Sequence, residues 1–283
     1  MSDLGENTRG AEIAFFGGSF TAIDREYMIS LLEAARPFLE LFEGVRISTR
    51  PDYIDDEVLV LLKKYNISTI ELGAQSMSDI VLLSNNRGHS SKQVRQAVKK
   101  IRSYGIKVGL QMMTGLYKST PELDLYTANE FVKLCPDCVR VYPTVIMENT
   151  DLADYYRSGD FKLYTLEESV RLCSEILKLF YENNIDVIRV GLHYSDSLVE
   201  NSLGNNYHPA FRELCESKIL LDSVSEQLSD NKRIIIYVNP SSVSKLIGQK
   251  RANIQKLNSM GYSVKVIPDK ALGKYEVRVE EQR

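Results

Sequence analysis

The sequence has no tryptophan, only three histidines and only four cysteines in 283 residues. So few soft ligands exclude a disulfide scaffold, and four cysteines in a chain of this length suit a reducing, cytoplasmic setting. No run of about 18 apolar residues occurs, so no membrane span is expected. The start, MSDLGENTRG, is polar and lacks the apolar core of a secretory signal. What is present is ordinary for a globular protein: 43% hydrophobic and 26% charged residues. The length fits one large domain, alone or with a small companion.

Charge is unevenly spread. The formal net charge is −3, yet residues 232–283 carry 11 Lys/Arg against 4 Asp/Glu, a net of +7. Residues 1–231 then carry −10. A basic tail on an acidic body suits contact with a polyanion, the alternative being a solvated surface of lysines.

Strand and helix patterns alternate from residue 11 onward. Strands are expected at 13–16, 45–49, 69–74, 106–115, 139–146 and 186–192. Helices are expected between them at 24–38, 55–65, 91–104, 120–134 and 166–184. Acids in the first turn of 55–65 and lysines in its last suit the helix dipole. Such alternation implies parallel strands joined by helical crossovers. An open doubly wound sheet and a barrel both fit. Glycines and polar groups follow nearly every strand (GGSF, STRPD, GAQS, QMMTG), and ligands of parallel β/α folds sit at the C-terminal strand ends. Groups at several successive ends favour a barrel-like mouth over one crevice. Residues 193–221 are irregular and then helical, and 222–232 read as a linker. Residues 233–283 follow a β-α-α-β-β order with a short basic loop between the helices.

The segments FFGGSFTAI, ISTRPDYI, IELGAQSMSDIVLLSNNRGH, VGLQMMTGLYKST, PDCVRVYPTVIMENT, VIRVGLH and HPAFREL, in register over about 200 residues, resemble the radical S-adenosylmethionine proteins, in the branch that contains the Elongator catalytic subunit. The resemblance implies a partial (β/α) barrel of about six parallel strands over 1–221, lacking the family's first strand, with S-adenosylmethionine lying across the strand ends. Gly17, Gly18 and Ser19 match the glycine motif that receives the ligand's amino group, and backbone without Cβ atoms suits that approach. The resemblance also places Ser48, Arg50, Glu71, Gln75, Gln111, Arg140, Tyr142, Val145 and Arg189 around this cofactor. Each has a plainer reading. Arg140 and Arg189 can pair with a strand-end carboxylate such as Glu71, and Ser48 can cap the next helix. One of Met112 and Met113 is expected in the core, because neighbours on a strand face opposite ways. Arg87 to His89 is either a phosphate-anchoring loop or a capped helix start. No catalytic residue is assigned.

The family's chemistry uses a [4Fe–4S] cluster held by a C-x₃-C-x₂-C loop, supplied with electrons by a donor such as ferredoxin or flavodoxin. No cysteine precedes Cys135, and the sequence starts where the family's second strand starts. The cluster is therefore expected only in a full-length parent, and the chain itself is expected to be inactive. It is either a piece of an intact radical enzyme or a barrel that binds RNA or nucleotide without chemistry. Cys135 and Cys138 form a C-x-x-C pair, but they precede a strand, at the end opposite the mouth, and read as structural. Cys173 and Cys215 read as helix core, so no metal ligand is assigned.

VSKLIGQKRANIQKL resembles the helix–loop–helix of a KH domain, which grips nucleic-acid backbone through a G-x-x-G loop. Gly248 matches the first glycine, and Arg251 stands where the second would be. Lys245, Gly248, Lys250 and Arg251 are the candidate nucleic-acid contacts, with RNA, tRNA by preference, as the partner. An Elongator-type acetyltransferase domain does not fit in the tail. A small-molecule radical enzyme related to coproporphyrinogen oxidase is a further alternative.

Overall fold

The computed structural model describes residues 10–282. The polar N-terminal segment falls, apart from Gly10, outside the described residues. In chain order the elements are β1 (Ile13–Phe15), α1 (Arg25–Ala35), β2 (Val45–Thr49), α2 (Asp56–Lys64), β3 (Ile67–Gln75), α3 (Asp79–Ser84), α4 (Ser91–Ser103), β4 (Lys107–Thr114), α5 (Pro121–Leu134), β5 (Cys138–Pro143), β6 (Ile146–Met147), α6 (Asp151–Ser158), α7 (Leu166–Glu182), β7 (Asp186–Val190), α8 (Asp196–Asn201), β8 (Ser202–Leu203), α9 (Phe211–Ser225), β9 (Arg233–Val238), α10 (Val243–Ile247), α11 (Ala252–Ser259), β10 (Ser263–Pro268) and β11 (Val277–Glu281).

The chain divides into two compact units, residues 1–144 with 183–189, and residues 145–182 with 190–283. The first unit holds a six-stranded sheet in the order β1-β2-β3-β4-β5-β7, with β1 through β5 paired in parallel. The strands follow one another without reversal. A doubly wound sheet reverses at a switch point, so the sequential order decides for a half-barrel of six parallel strands with helices.

Local chemistry sets the helix starts. The Asp55 carboxylate accepts from the Val58 N–H at the head of α2. Ser90 and Gln93 form a reciprocal capping box on α4. Thr120 caps α5, whose first residue is Pro121. The sheet is apolar toward the helices, with Ile47, Ile70, Leu72, Val108, Leu110 and Met112 all buried. The expected strand at 139–146 ends at Pro143. Ile146–Met147 instead pairs antiparallel with Ser202–Leu203 in the second unit.

In the second unit β9 is central to a three-stranded sheet, parallel to β10 and antiparallel to β11. Leu220, Leu221 and Val224 of α9 join Ile234, Ile236, Val238, Leu246 and Leu257 in one apolar core. The stretch expected as a linker thus opens inside α9, whose last turn runs to Ser225. Its polar surface read as a linker because every third or fourth residue, not the average, is apolar.

Candidate functional site

Alternation along the strands puts one set of side chains on the sheet's second face, and that set is polar. On β2 these are Arg46 and Ser48, on β3 Glu71 and Gly73, on β4 Gly109 and Gln111, on β5 Cys138, Arg140 and Tyr142. The Glu71 carboxylate, 1% exposed, lies between two guanidiniums. Arg46 donates to its Oε1 at 2.9 Å, and Arg140 donates through Nε to Oε2 at 2.5 Å and through Nη2 to Oε1 at 3.0 Å. Arg46 also donates to Glu12 at 2.7 Å and to the Cys138 Sγ at 3.4 Å. Two carboxylates and two guanidiniums therefore form a neutral layer from the start of β1 to β5. Burial pulls the Arg46 pKa down, but its bonds to Cys138, Glu12 and Glu71 outweigh that and raise it. Arg140 is raised in the same way, burial opposed by Glu71. Its guanidinium also sits 4.9 Å from the ring centroid of Phe16.

Gly109 makes this layer fit. A Cβ there would lie 2.7 Å from the Glu71 Cγ and 3.0 Å from the Cys138 Sγ. Above the layer, Gln111 Nε2 donates to Ser48 Oγ at 2.9 Å and to Glu71 Oε2 at 3.0 Å.

Over this floor, at the C-terminal strand ends, opens a cavity of about 320 Å³. Of the residues expected at the cofactor, Gly18, Ser19, Ser48, Arg50, Gln75 and Gln111 line it, joined by Gly73, Arg87 and His89. Glu71 and Arg140 lie in the ionic layer. Tyr142 and Arg189 are half-buried on β5 and β7, and Val145 falls in the second unit. Gly17 has φ +110°, a conformation glycine adopts readily, and a Cβ on Gly17 or Gly18 would meet only open space. Arg50 is bound to Asp52 at 3.0 and 2.6 Å, so much of its charge is already matched.

Arg87 is different. It is half-buried, its Nε has no partner among the described residues, and its Nη2 lies 3.0 Å from the Met113 thioether. Burial alone acts on its pKa and lowers it, with no carboxylate opposing. Among the described residues Arg87 has no carboxylate partner, and a guanidinium so placed favours an anion beside it. The helix-start reading of the Arg87–His89 loop is seen, since Ser90 caps α4, and Arg87 lines the cavity. Met112 is core and Met113 is half-buried beside Arg87.

Among the described residues no group of three Cys, His, Asp or Glu is placed to hold a metal ion. Cys135 is exposed, while Cys138, Cys173 and Cys215 are buried at separate places. They do not fit a [4Fe–4S] cluster, which needs three thiolates at one point. No helix among the described residues is long and apolar enough to cross a membrane.

In the second unit, Gly248 has φ +79°, and Lys250 and Arg251 follow with φ +50° and +63°. Left-handed backbone at two successive non-glycine residues is costly. Both side chains are exposed in the loop between α10 and α11. Gly248 itself is buried, so close to Asn253 and to Ser217 Oγ that a Cβ would crowd them at 3.1–3.2 Å. The Lys245 ammonium is bound to Glu216 at 2.6 Å.

Comparison with known proteins gives this geometry a context. The profile of the Radical SAM superfamily matches residues 2–126, and that of the Radical_SAM C-terminal domain matches 136–220. The tRNA uridine(34) acetyltransferase of Dehalococcoides mccartyi is 29% identical over 183 residues, covering 57% of this chain and 40% of that protein. Human Elongator complex protein 3 is 28% identical over 201 residues, covering 63% and 37%. The chain thus spans 40% or less of the length of these curated relatives. The solved structure of archaeal Methanocaldococcus infernus Elp3, with its N-terminus deleted, superposes with a TM-score of 0.67 at 22% identity, over 78% of this chain and 55% of that one, and shows the same fold. Two successive profile matches, a shared half-barrel and a polar mouth at its strand ends agree: the chain belongs to the radical SAM superfamily.

Proposed function

We propose that the strand-end mouth binds S-adenosylmethionine and that the small sheet domain binds RNA, making this chain the core of an RNA-modifying protein. The observation that carries the first half is the Arg87 guanidinium, which has no carboxylate partner among the described residues, at a cavity whose other lining, besides Arg50 and His89, is of glycines and neutral polar groups. In this reading Arg87 takes the ligand's carboxylate. The open backbone at Gly17 and Gly18 takes its ammonium, and Ser48 and Gln111 take hydroxyls of the ribose. Bound there, S-adenosylmethionine supplies an activated sulfonium carbon. The described residues fit the ligand but not a [4Fe–4S] cluster, so reductive cleavage is assigned to no step of this chain.

The RNA half rests on the exposed Lys250–Arg251 loop, on the +7 charge of residues 232–283, and on the KH-like order of helices and strands around Gly248. The relatives' names give tRNA as the substrate class. Acetyl transfer is not part of the reading.

The test is calorimetric titration of the full chain with S-adenosylmethionine. Wild type binds in the micromolar range, and Arg87→Gln weakens binding about ten- to a hundredfold, the weight of a charge-assisted hydrogen bond. Wild type that takes up no ligand, or an Arg87→Gln protein that binds as tightly, would sink the proposal.

A further inference from the structure

Helix α5 buries two polar side chains in its first two turns. Asp124 is 1% exposed and Thr127 0%, and at three residues apart they share one face of the helix. Neither lines the strand-end cavity. Thr127 reaches the loop after β3. Its hydroxyl donates to the Leu123 carbonyl at 3.0 Å, so toward other groups its oxygen accepts. The Met77 N–H donates to it at 3.0 Å, and the Ser76 hydroxyl lies 3.2 Å away. The Ser76 Oγ accepts in turn from the Ser78 N–H at 3.1 Å, at the head of α3. Asp124 reaches the turn after β4. Its carboxylate accepts from the Gly115 N–H at 2.8 Å and from the Ser119 hydroxyl at 2.6 Å. The Tyr117 carbonyl, in the middle of that turn, accepts from Asn85 Nδ2 at 2.8 Å. Asn85 also donates to the Val81 carbonyl at 2.7 Å and stands at the C-terminal cap of α3.

Both ends of α3 are thus tied to one face of α5. The ties matter because α3 is six residues long and leaves Ile80 and Leu83 exposed. A helix that short has little stability of its own. It also joins two parts of the cavity wall. Gln75 precedes it, Asn85, Asn86, Arg87 and His89 follow it, and all five line the cavity. Gln75 has φ +63°, and across it the Ser76 N–H donates to the Ala74 carbonyl at 2.7 Å, which makes a tight, strained turn. Its side chain folds back over Gly73, where a Cβ would lie 2.8 Å from the Gln75 Nε2. Such a turn persists only where its neighbours over-determine it. The bonds of Thr127 to the next two residues supply that hold.

We propose that Thr127 and Asp124 are positioning residues for the strand-end cavity. From α5, outside the lining, they hold the two ends of α3, and so they place Gln75 before that helix and Asn85 and Arg87 after it. The inference rests on the reading that this cavity binds S-adenosylmethionine. It adds two residues that touch no part of the ligand.

Calorimetric titration of the full chain with S-adenosylmethionine, well below the melting temperature, tests it, with melting curves as the fold control. Thr127→Val keeps the side chain's volume and removes its hydroxyl. It should weaken binding about tenfold, the weight of one or two hydrogen bonds. Thr127→Ser restores the hydroxyl and should bind within about twofold of wild type. Ser119→Ala takes one donor from Asp124 at a partly exposed position and should weaken binding about threefold. Residues that only stabilised the fold would lower the melting temperature on substitution and leave the affinity unchanged. Thr127→Val and Ser119→Ala proteins that bind as wild type, beside an Arg87→Gln protein that has lost the ligand, would overturn the inference and leave the cavity reading standing. Equal weakening in Thr127→Val and Thr127→Ser would also overturn it, because the hydroxyl is then not what acts. Wild type that takes up no ligand removes the cavity reading and the inference with it. Should Thr127→Val fail to fold, Ser119→Ala alone decides.

Discussion

Three of the buried carboxylates, Glu71 and Asp124 in the half-barrel and Glu216 in the second unit, are handled in three ways. Glu71 lies in a balanced layer, two acids against two guanidiniums. Glu216, on α9 and 3% exposed, accepts from Lys245 Nζ at 2.6 Å, from Lys274 Nζ at 3.0 Å and from Arg212 Nε at 3.2 Å. Asp124, 1% exposed at the start of α5, has neutral donors and, among the described residues, no cation bound to it. It accepts from the Ser119 hydroxyl at 2.6 Å and the Gly115 N–H at 2.8 Å. Burial pushes its pKa up to about 6, helped by nearby Glu122. The three cases show that burial of a charge does not by itself mark a site. What surrounds it sets its chemistry: guanidiniums at Glu71, two lysines and an arginine at Glu216, and neutral donors at Asp124.

The comparison can be broken first at Glu71. Glu71→Gln leaves Arg46 and Arg140 without their shared anion, and breaking a buried pair from one side costs about 3–5 kcal/mol. Melting curves should fall by about 10 °C or more. A change under about 2 °C would mean that Glu12 and solvent take over. Gly109→Ala acts on the same layer through volume. Its new Cβ meets Glu71 and Cys138, so a loss of about 1–3 kcal/mol in chemical denaturation is expected.

Glu216 is next. Burial raises its pKa, but Lys245 and Lys274 overcome it, and the value falls to about 2. A depressed folded pKa gives stability that is full above the unfolded value and lost as pH falls through the folded one. Wild type should therefore lose about 3 kcal/mol between pH about 4.5 and 2 that Glu216→Gln does not lose over the same range. Equal acid slopes in the two proteins would contradict this.

The smallest effect is at Asp124, where the sign is reversed. Its raised folded pKa gives stability that is full at low pH and is lost as pH rises from about 4 through about 6. Asp124→Asn should flatten that limb, by about 1–3 kcal/mol. Denaturant midpoints at pH 4, 5, 6 and 7 measure it, and an unchanged limb would place the titration elsewhere.

Much of the architecture is legible in the residues themselves. VRIST and RIIIYV are strands with the expected bounds, because apolar alternation and flanking turn residues agree. Helix α3 is not legible: its six residues leave Ile80 and Leu83 exposed, so no apolar period announces it. At the mouth, Gly18, Ser19, Ser48, Arg50, Gln75 and Gln111 come from four strand ends and meet because those ends do. Glu12 and Arg46 could not be picked out in the same way. Their importance lies in pairs separated by 25 to 34 residues, which no local pattern encodes. Arg87 sits between two roles in sequence and acquires one only when the absence of a partner is seen in three dimensions. The tail's basic loop was visible as composition, whereas the Arg212–Lys274 cluster joins residues from α9 and a turn far along the chain.

The cysteines, which build no cluster here, have a separate use. Cys135 caps α5 with φ +46° and is exposed, while Cys138 is buried in the first unit and Cys173 and Cys215 in the second. A thiol reagent should therefore modify one position in the intact fold. Each later modification then records a distinct opening event, Cys138 for the half-barrel and the other two for its companion. Peptide mass mapping over time would turn an unengineered chain into its own two-channel recorder of local unfolding.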